Sequence, residues 1–310
     1  MGTTYRITCR PSTKLALGVD VLQAGIDSVL DRVNGQMSTY LRDSEISTFN
    51  DWRSRDPFPV SKEFAFVVSR ALHWSQETDG AFDITVFPLL FLWGFGPGQE
   101  RSSFSYSFPS AQEITGRLSH VGHGKLKVQE GVLTKKDPLL MLDLNAIAKG
   151  FGVDALFSYL RSLSISRMMV EIGGEVRAMG KNARGRPWAI AIERPPFFSS
   201  GGAWAYELDN AAMATSGDYR NFFEIDGKVF SHEIDPRTGY PAQTGVASAT
   251  VVAPHCTDAD ALATALMVMG QQQGLRLVET LDGVEALLFL REGENGFRWT
   301  ASSGFQIRER

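Results

Sequence analysis

From residue 168 onward the chain breaks into short extended runs separated by turn residues, and this pattern constrains its architecture more than any other feature. Met168 to Ile172 ends at Gly173-Gly174, and further runs fall at about 175–179, 187–193, 204–208, 220–225 and 228–233. The last two flank Asp226-Gly227, a pair that favours a two-residue hairpin because both positions tolerate positive φ. Ser248 to Pro254 reads as another strand, and 284–291 and 297–301 as two more. Strand runs linked by hairpins, with a few helices between them, specify an α+β protein with mainly antiparallel sheets and packed helices.

The first half supplies most of the helices. Residues 3–9 read as a strand, and Val21, Leu22, Ile26, Val29, Leu30 and Val33 recur at helical spacing until Asn34-Gly35, where the helix is expected to stop. Met37 to Ile46 is polar and loop-like, ending in a helical turn, and Ser61 caps a helix through about Thr78. Residues 81–98 mix aromatics with Gly and Pro, too apolar for a solvated loop and too interrupted for regular structure. A Ser-rich surface loop (99–110), a short helix (111–118) and a hairpin (125–135) around Glu130-Gly131 follow. Leu139 to Leu144 is a buried-strand candidate, succeeded by a helix to about Leu163; two further helices are expected at 261–269 and 271–280. No period of about 20–50 residues recurs, which excludes solenoids and propellers.

Composition excludes several classes of function. With 43% hydrophobic and 21% charged residues the chain can bury a core, and its net charge of −4 gives no general attraction to nucleic acid or anionic membrane. No run reaches the ~18 apolar residues of a spanning helix. Cys9 and Cys256 form no CxxC pair, so a thiolate zinc site and a disulfide scaffold are both excluded. Met1-Gly-Thr-Thr-Tyr-Arg-Ile-Thr8 reads directly as a strand, which leaves two expectations open: a cytoplasmic protein, or one whose export signal was trimmed.

Chemistry concentrates at strand ends and loops. In Thr257-Asp-Ala-Asp-Ala-Leu-Ala-Thr264, Asp260 and Thr264 are four residues apart and share one helix face, where two oxygens suit Mg²⁺. The same letters also read as a capping box, with Thr257 as N-cap and Asp260 at N3. Asp143-Leu-Asn-Ala-Ile-Ala-Lys-Gly150 joins a strand to a helix start, whose free N–H groups favour an anion, with Lys149 adding charge. Gly80-Ala-Phe-Asp-Ile-Thr85 reads as a turn and strand with Asp83 as a local cap, and Thr215 to Asn221 as a turn. Asp235-Pro-Arg-Thr-Gly239 is a rigid turn that holds His232 and Ile234 at a strand end. A Walker loop, a Rossmann glycine fingerprint and a serine nucleophile elbow are absent. What remains is an anion site with an oxygen-ligated cation: a phosphate-bearing ligand with Mg²⁺, and aromatics in 81–98 for a planar ring.

These motifs, in this order, resemble the FAD:protein FMN transferases of the ApbE family. The resemblance rests on Asp143 to Gly150, Glu171-Ile-Gly-Gly174, Ser216-Gly-Asp-Tyr-Arg-Asn221, His232-Glu-Ile-Asp-Pro-Arg-Thr-Gly239 and Ala259-Asp-Ala-Leu-Ala-Thr264. Met1 to Tyr5, Ser38-Thr-Tyr40, Asp43-Ser-Glu-Ile46 and Gly80 to Thr85 add to it, so it spans nearly the whole chain. It implies an ApbE/T-fold-like single large domain over 1–310 and Mg²⁺-dependent transfer of FMN from FAD to a Thr or Ser hydroxyl of an acceptor flavoprotein, with release of AMP. Implied ligands of the metal are Asp260, Thr264 and the Ala146 carbonyl. Implied FAD contacts are Met1, Tyr40, Ala81, Phe82, Asp83, Asp143, Lys149 and Ile234, with His232 beside the pyrophosphate. His232 is the candidate base for the acceptor hydroxyl; Asp218, Asp258 or the metal alone are the alternatives. An FAD-binding protein or Mg²⁺-dependent FAD pyrophosphatase would use the same groups. Many members are exported, often as lipoproteins, so the resemblance also implies a periplasmic or membrane-anchored setting.

Overall fold

The computed structural model describes residues 2–10, 18–98, 108–194, 204–218, 222–225, 228–293 and 296–309. In chain order its elements begin with β1 (Tyr5–Cys9), α1 (Val19–Met37), α2 (Glu45–Asp51), β2 (Phe58–Pro59), α3 (Lys62–Glu77), α4 (Phe87–Leu92) and α5 (Ala111–Leu118). There follow β3 (Leu126–Gln129), β4 (Val132–Lys135), α6 (Asn145–Ser162), β5 (Met168–Ile172), β6 (Glu175–Met179), β7 (Trp188–Ala191) and β8 (Trp204–Leu208). The last are β9 (Ala211–Gly217), β10 (Phe222–Ile225), β11 (Lys228–Ser231), β12 (Val246–Ala253), α7 (Cys256–Val278), β13 (Glu285–Glu292), β14 (Gly296–Ala301) and β15 (Arg308–Glu309). No helix among the described residues is long and apolar enough to cross a membrane.

The chain packs into two units, one of Met1–Val33, Ile147–Tyr219 and Thr244–Arg310, the other of Asn34–Ala146 and Arg220–Gln243. The first unit holds a seven-stranded sheet in the order β1-β5-β6-β9-β12-β13-β14, with a smaller β15-β8-β7 sheet. Every named pairing is antiparallel, as the hairpin-linked runs imply. β12 lies inside the sheet with all eight residues buried, so it reads as a continuous apolar run instead of an alternating one. β9 escapes the sequence reading, which takes Thr215 onward as a turn. Its Ala-Ala-Met-Ala-Thr-Ser-Gly has little β-branched character, yet it lies between β6 and β12 and α7 packs on it. On the other strands, Val153, Leu156, Phe157 and Leu160 of α6 meet Ile26 and Val29 of α1 over Met168, Val170 and Ile172 of β5.

The second unit gathers α2 to α5 with the β2-β4-β3 sheet and the β10–β11 hairpin. Its core joins Leu89, Trp93, Ile114, Val121 and Ile234. Trp93 Nε1 donates to the Gly239 carbonyl at 2.8 Å, which fastens the Asp235-Pro-Arg-Thr-Gly239 turn. That turn is built as its sequence requires: the Thr238 and Gly239 N–H groups both donate to the Asp235 carbonyl, and Gly239 takes φ +81°.

Several expected elements differ. α1 continues through Asn34-Gly35 to Met37, because Met37 is buried and Gln36 donates to Ser61 Oγ, so tertiary contacts carry the last turn. Leu139 to Leu144 is not a strand. Leu140, Leu142, Asp143 and Leu144 are all buried, but it is the Asn50 side chain that supplies the pairing, donating to the Leu142 carbonyl and accepting from its N–H. Residues 81–98 include a 3-10 turn (Ile84–Val86) and α4, where Pro88 occupies the first turn and so costs no hydrogen bond. Ser61, Ser44 and the Ser110–Glu113 capping box start their helices. Asp226-Gly227 and residues 99–107 lie outside the described residues.

Candidate functional site

α7 begins one residue before Thr257, and its start is organised by another helix. Thr257 is not the N-cap: that position is His255, whose side chain makes no capping bond. Asp154 of α6 caps the helix from outside, its Oδ1 accepting the Cys256 N–H at 3.1 Å and its Oδ2 the Thr257 N–H at 2.9 Å and hydroxyl at 2.7 Å. Arg177 neutralises Asp154 at 2.7 Å. The local capping box is therefore replaced by a long-range carboxylate, and Asp260 is left for other work. The two expected helices are both present in this run, separated at Gly270, whose φ of 76° is not helical.

Asp260 is buried, and its Oδ2 accepts the Gly150 N–H at 2.8 Å. Lys149 Nζ stands 3.6 Å from its Oδ1 and pairs more closely with Glu175 Oε1. Burial favours the neutral amine, but the charges of Asp260 and Glu175 hold the Lys149 ammonium above its usual range. Glu175 is pushed up to about 7, first by burial and then by the Asp260 charge, while Lys149 pulls the other way. Its Oε2 is buried without a hydrogen-bond partner. Two carboxylates thus share one ammonium, and the cluster retains acceptor capacity. Glu175 was not a candidate from the sequence; its only signal is a charged residue directly after Gly173-Gly174 at the start of an inward-facing strand.

Thr264 Oγ1 lies 3.0 Å from Ser216 Oγ, which brings the Ser216-Gly-Asp motif onto the same face of α7. Asp260 Oδ1 and the Thr264 hydroxyl are hard oxygen donors, a set that fits Mg²⁺ and not a thiolate metal. Among the described residues no three His, Cys, Asp or Glu side chains form a metal cage, so the remaining ligands would be carbonyls, phosphate oxygens or water. Ala146 sits half-exposed in the first turn of α6. Asp218, an alternative base, is tied by both Arg291 nitrogens at 2.5 and 2.7 Å, which commits it to an ion pair.

In the second unit Asp83 does act as the local cap. Its Oδ1 accepts from the Thr85 N–H and hydroxyl, and its Oδ2 from the His123 N–H at 2.7 Å. Ala81, Phe82 and Ile234 are buried, so their side chains serve packing and any ligand would meet their backbone. Tyr40 is 67% exposed, and Met1 lies outside the described residues. His232 is half-exposed, its Nε2 3.3 Å from Glu233 Oε1 and its ring tilted against Phe95.

Asp143 is buried and accepts the N–H and side-chain amide of Asn145. Burial pushes its carboxyl up to about 6, outweighing the Asn145 bonds and the His232 charge that favour ionisation. An acid whose folded pKa exceeds its unfolded value of ~3.9 holds its proton more tightly when folded. Its stabilising contribution is therefore complete below that unfolded value and is lost as pH rises through the folded one, by about 3 kcal/mol. Denaturant midpoints measured from pH ~4 to ~6.5 should fall more steeply in the native protein than in Asp143→Asn; parallel curves would disprove the shift.

An oxygen-donor pair beside a lysine–carboxylate cluster suits a phosphate-bearing ligand, and the chain is similar to solved structures of flavin transferases. The chain superposes on flavin transferase ApbE from Vibrio cholerae with a TM-score of 0.89 and 43% identity, covering 98% of this chain and 95% of that one. For the apo form of flavinyl transferase ApbE from Pseudomonas stutzeri the TM-score is 0.88 and the identity 37%, over 98% and 92% of the two chains. The FAD:protein FMN transferase of Vibrio cholerae serotype O1 is 44% identical over 306 residues, 99% of this chain and 90% of that protein. The sequence model of the ApbE family matches residues 1–288. The chain belongs to the ApbE family.

Proposed function

We propose that this transferase moves FMN from FAD to a Thr or Ser hydroxyl of an acceptor flavoprotein, with Mg²⁺ required. The observation that carries the reading is its 44% identity, over 99% of its length, to a protein named FAD:protein FMN transferase. In the reaction the acceptor oxygen bonds to the FMN-side phosphorus of the FAD pyrophosphate. The bond from that phosphorus to the bridging oxygen breaks, AMP leaves with that oxygen, and the hydroxyl proton passes to a base. Asp260 and Thr264 would hold Mg²⁺, which when bound offsets the pyrophosphate charge. Lys149 adds a fixed positive charge, kept in place by Glu175 and Asp260. His232 serves as the base in this reading; of the alternatives, Asp218 is occupied by Arg291.

The direct test is incubation with FAD, Mg²⁺ and an acceptor protein carrying the target Thr, followed by in-gel flavin fluorescence. A labelled acceptor supports transfer. FMN and AMP released beside an unlabelled acceptor would replace the transferase reading with a pyrophosphatase. His232→Ala should slow transfer roughly 10²- to 10⁴-fold while FAD affinity changes far less. Equal losses in rate and affinity would reduce His232 to a binding residue.

A further inference from the structure

A cavity of about 570 Å³ in the second unit lies against α3 and the β3–β4 hairpin, and none of the residues named above for metal or FAD lines it. Its cationic lining is Arg55, His123, Lys125, Lys127, Lys135 and Lys136, with no Asp or Glu, in a chain whose net charge is −4.

Three of these groups are already committed. Lys135 is buried and donates to the carbonyls of Leu140 at 3.0 Å and Phe49 at 3.3 Å. Lys125 Nζ donates to the carbonyls of Ser119 and Val121. His123 stands 3.4 Å from Asp83. Arg55, Lys127 and Lys136 are exposed, and no carboxylate among the described residues pairs with them. The nearest acid on the hairpin's exit, Asp137, is taken by His120 at 2.6 Å and by the Leu139 N–H.

Strand register explains why the charges converge. Leu126 pairs with Lys135 and Lys127 with Thr134, while the Lys136 N–H donates to the Lys125 carbonyl at 2.8 Å. Lys127 and Thr134 therefore share the face opposite to that of Leu126 and Lys135. Lys127 and Lys136 both line the cavity.

We propose that this cavity binds a small ligand carrying a pyrophosphate or polyphosphate group, with Arg55, Lys127 and Lys136 supplying the charge. The volume falls in the range that encloses small molecules (~300–1,000 Å³), whereas a protein partner would need about 800 Å² of surface on each side. Leu72 and Leu126 give apolar walls, and Gln76 and Thr134 give neutral hydrogen-bonding groups. The site is independent of the flavin-transfer reading.

Calorimetric titration of the full chain with inorganic pyrophosphate, without Mg²⁺ and with FAD saturating, tests it. The double variant Lys127→Ala/Lys136→Ala should weaken binding about tenfold or more, with a shallower salt dependence, while FAD affinity and Lys181→Ala remain as in the native protein. Equal affinity in native and double-variant proteins would overturn the proposal, as would the absence of pyrophosphate binding. A Glu-rich peptide whose binding, unlike that of pyrophosphate, is lost in the double variant would overturn it in favour of protein docking. Failure of the flavin reading would show separately, in acceptor labelling.

Discussion

Asp260→Asn should slow flavin transfer about 10²- to 10³-fold, the scale on which a charged group stabilising a phosphoryl transition state is lost, and should raise the Mg²⁺ concentration needed for half-maximal rate. The amide keeps an acceptor for the Gly150 N–H, so the α6–α7 contact survives. What disappears is the negative charge that the proposed metal site draws on and that Lys149 shares with Glu175. Glu175 should also ionise more readily, because the Asp260 charge is one of the two influences that raise it. Single-turnover labelling across a Mg²⁺ series, with thermal unfolding as the fold control, separates the effects. Native rates at low Mg²⁺ with an unchanged melting temperature would remove Asp260 from the metal site.

Gly150→Ala should be the most damaging small substitution to the fold. A Cβ there would lie 2.2 Å from the Cys256 carbonyl oxygen, 2.7 Å from its carbon and 2.8 Å from Asp260 Cβ. The first two are backbone atoms, so no rotamer change relieves the clash; α6 and α7 must separate. Overpacking costs about 1–3 kcal/mol where side chains can adjust, and the gain of ~1 kcal/mol from replacing a helical Gly offsets only part of it. A net loss of about 2 kcal/mol or more would lower the melting temperature of a chain of this length by at least ~3 °C. Separation of the helices would also pull Asp260 from the Gly150 N–H, so activity should fall further than stability alone requires. A melting temperature equal to the native protein's would show that the helices do not approach as closely as described.

Legibility in the sequence followed the range of the interactions. Features set by neighbours were readable: the Ser61 cap, the Glu130-Gly131 hairpin turn, the Asp235 to Gly239 turn and the break at Gly270 all come from local conformational preference. That Asp260 and Thr264 share one helix was readable from their spacing alone. What was hidden depends on distant partners. Asp154 caps α7 from more than a hundred positions away, so the nearby Thr257 looked like the cap. Asn50 imitates a strand for Leu142, and Glu175 meets Lys149 only once β6 and α6 are assembled. β9 was hidden for another reason: small residues that let α7 settle on it carry almost no strand signal.

The pairing of β1 with β5 has a bearing on how the protein is made. Tyr5 finds Ile172 only after the whole of Asn34–Ala146 has been synthesised, and β9 must wait for β12 at Val246 before its second edge is covered. At the ~5–20 residues per second of translation, the N-terminal strand therefore spends roughly ten seconds or more beyond the ribosome without its partner. Its alternation of exposed and half-buried residues, in place of a continuous apolar run, suits a segment that has to stay soluble through that interval.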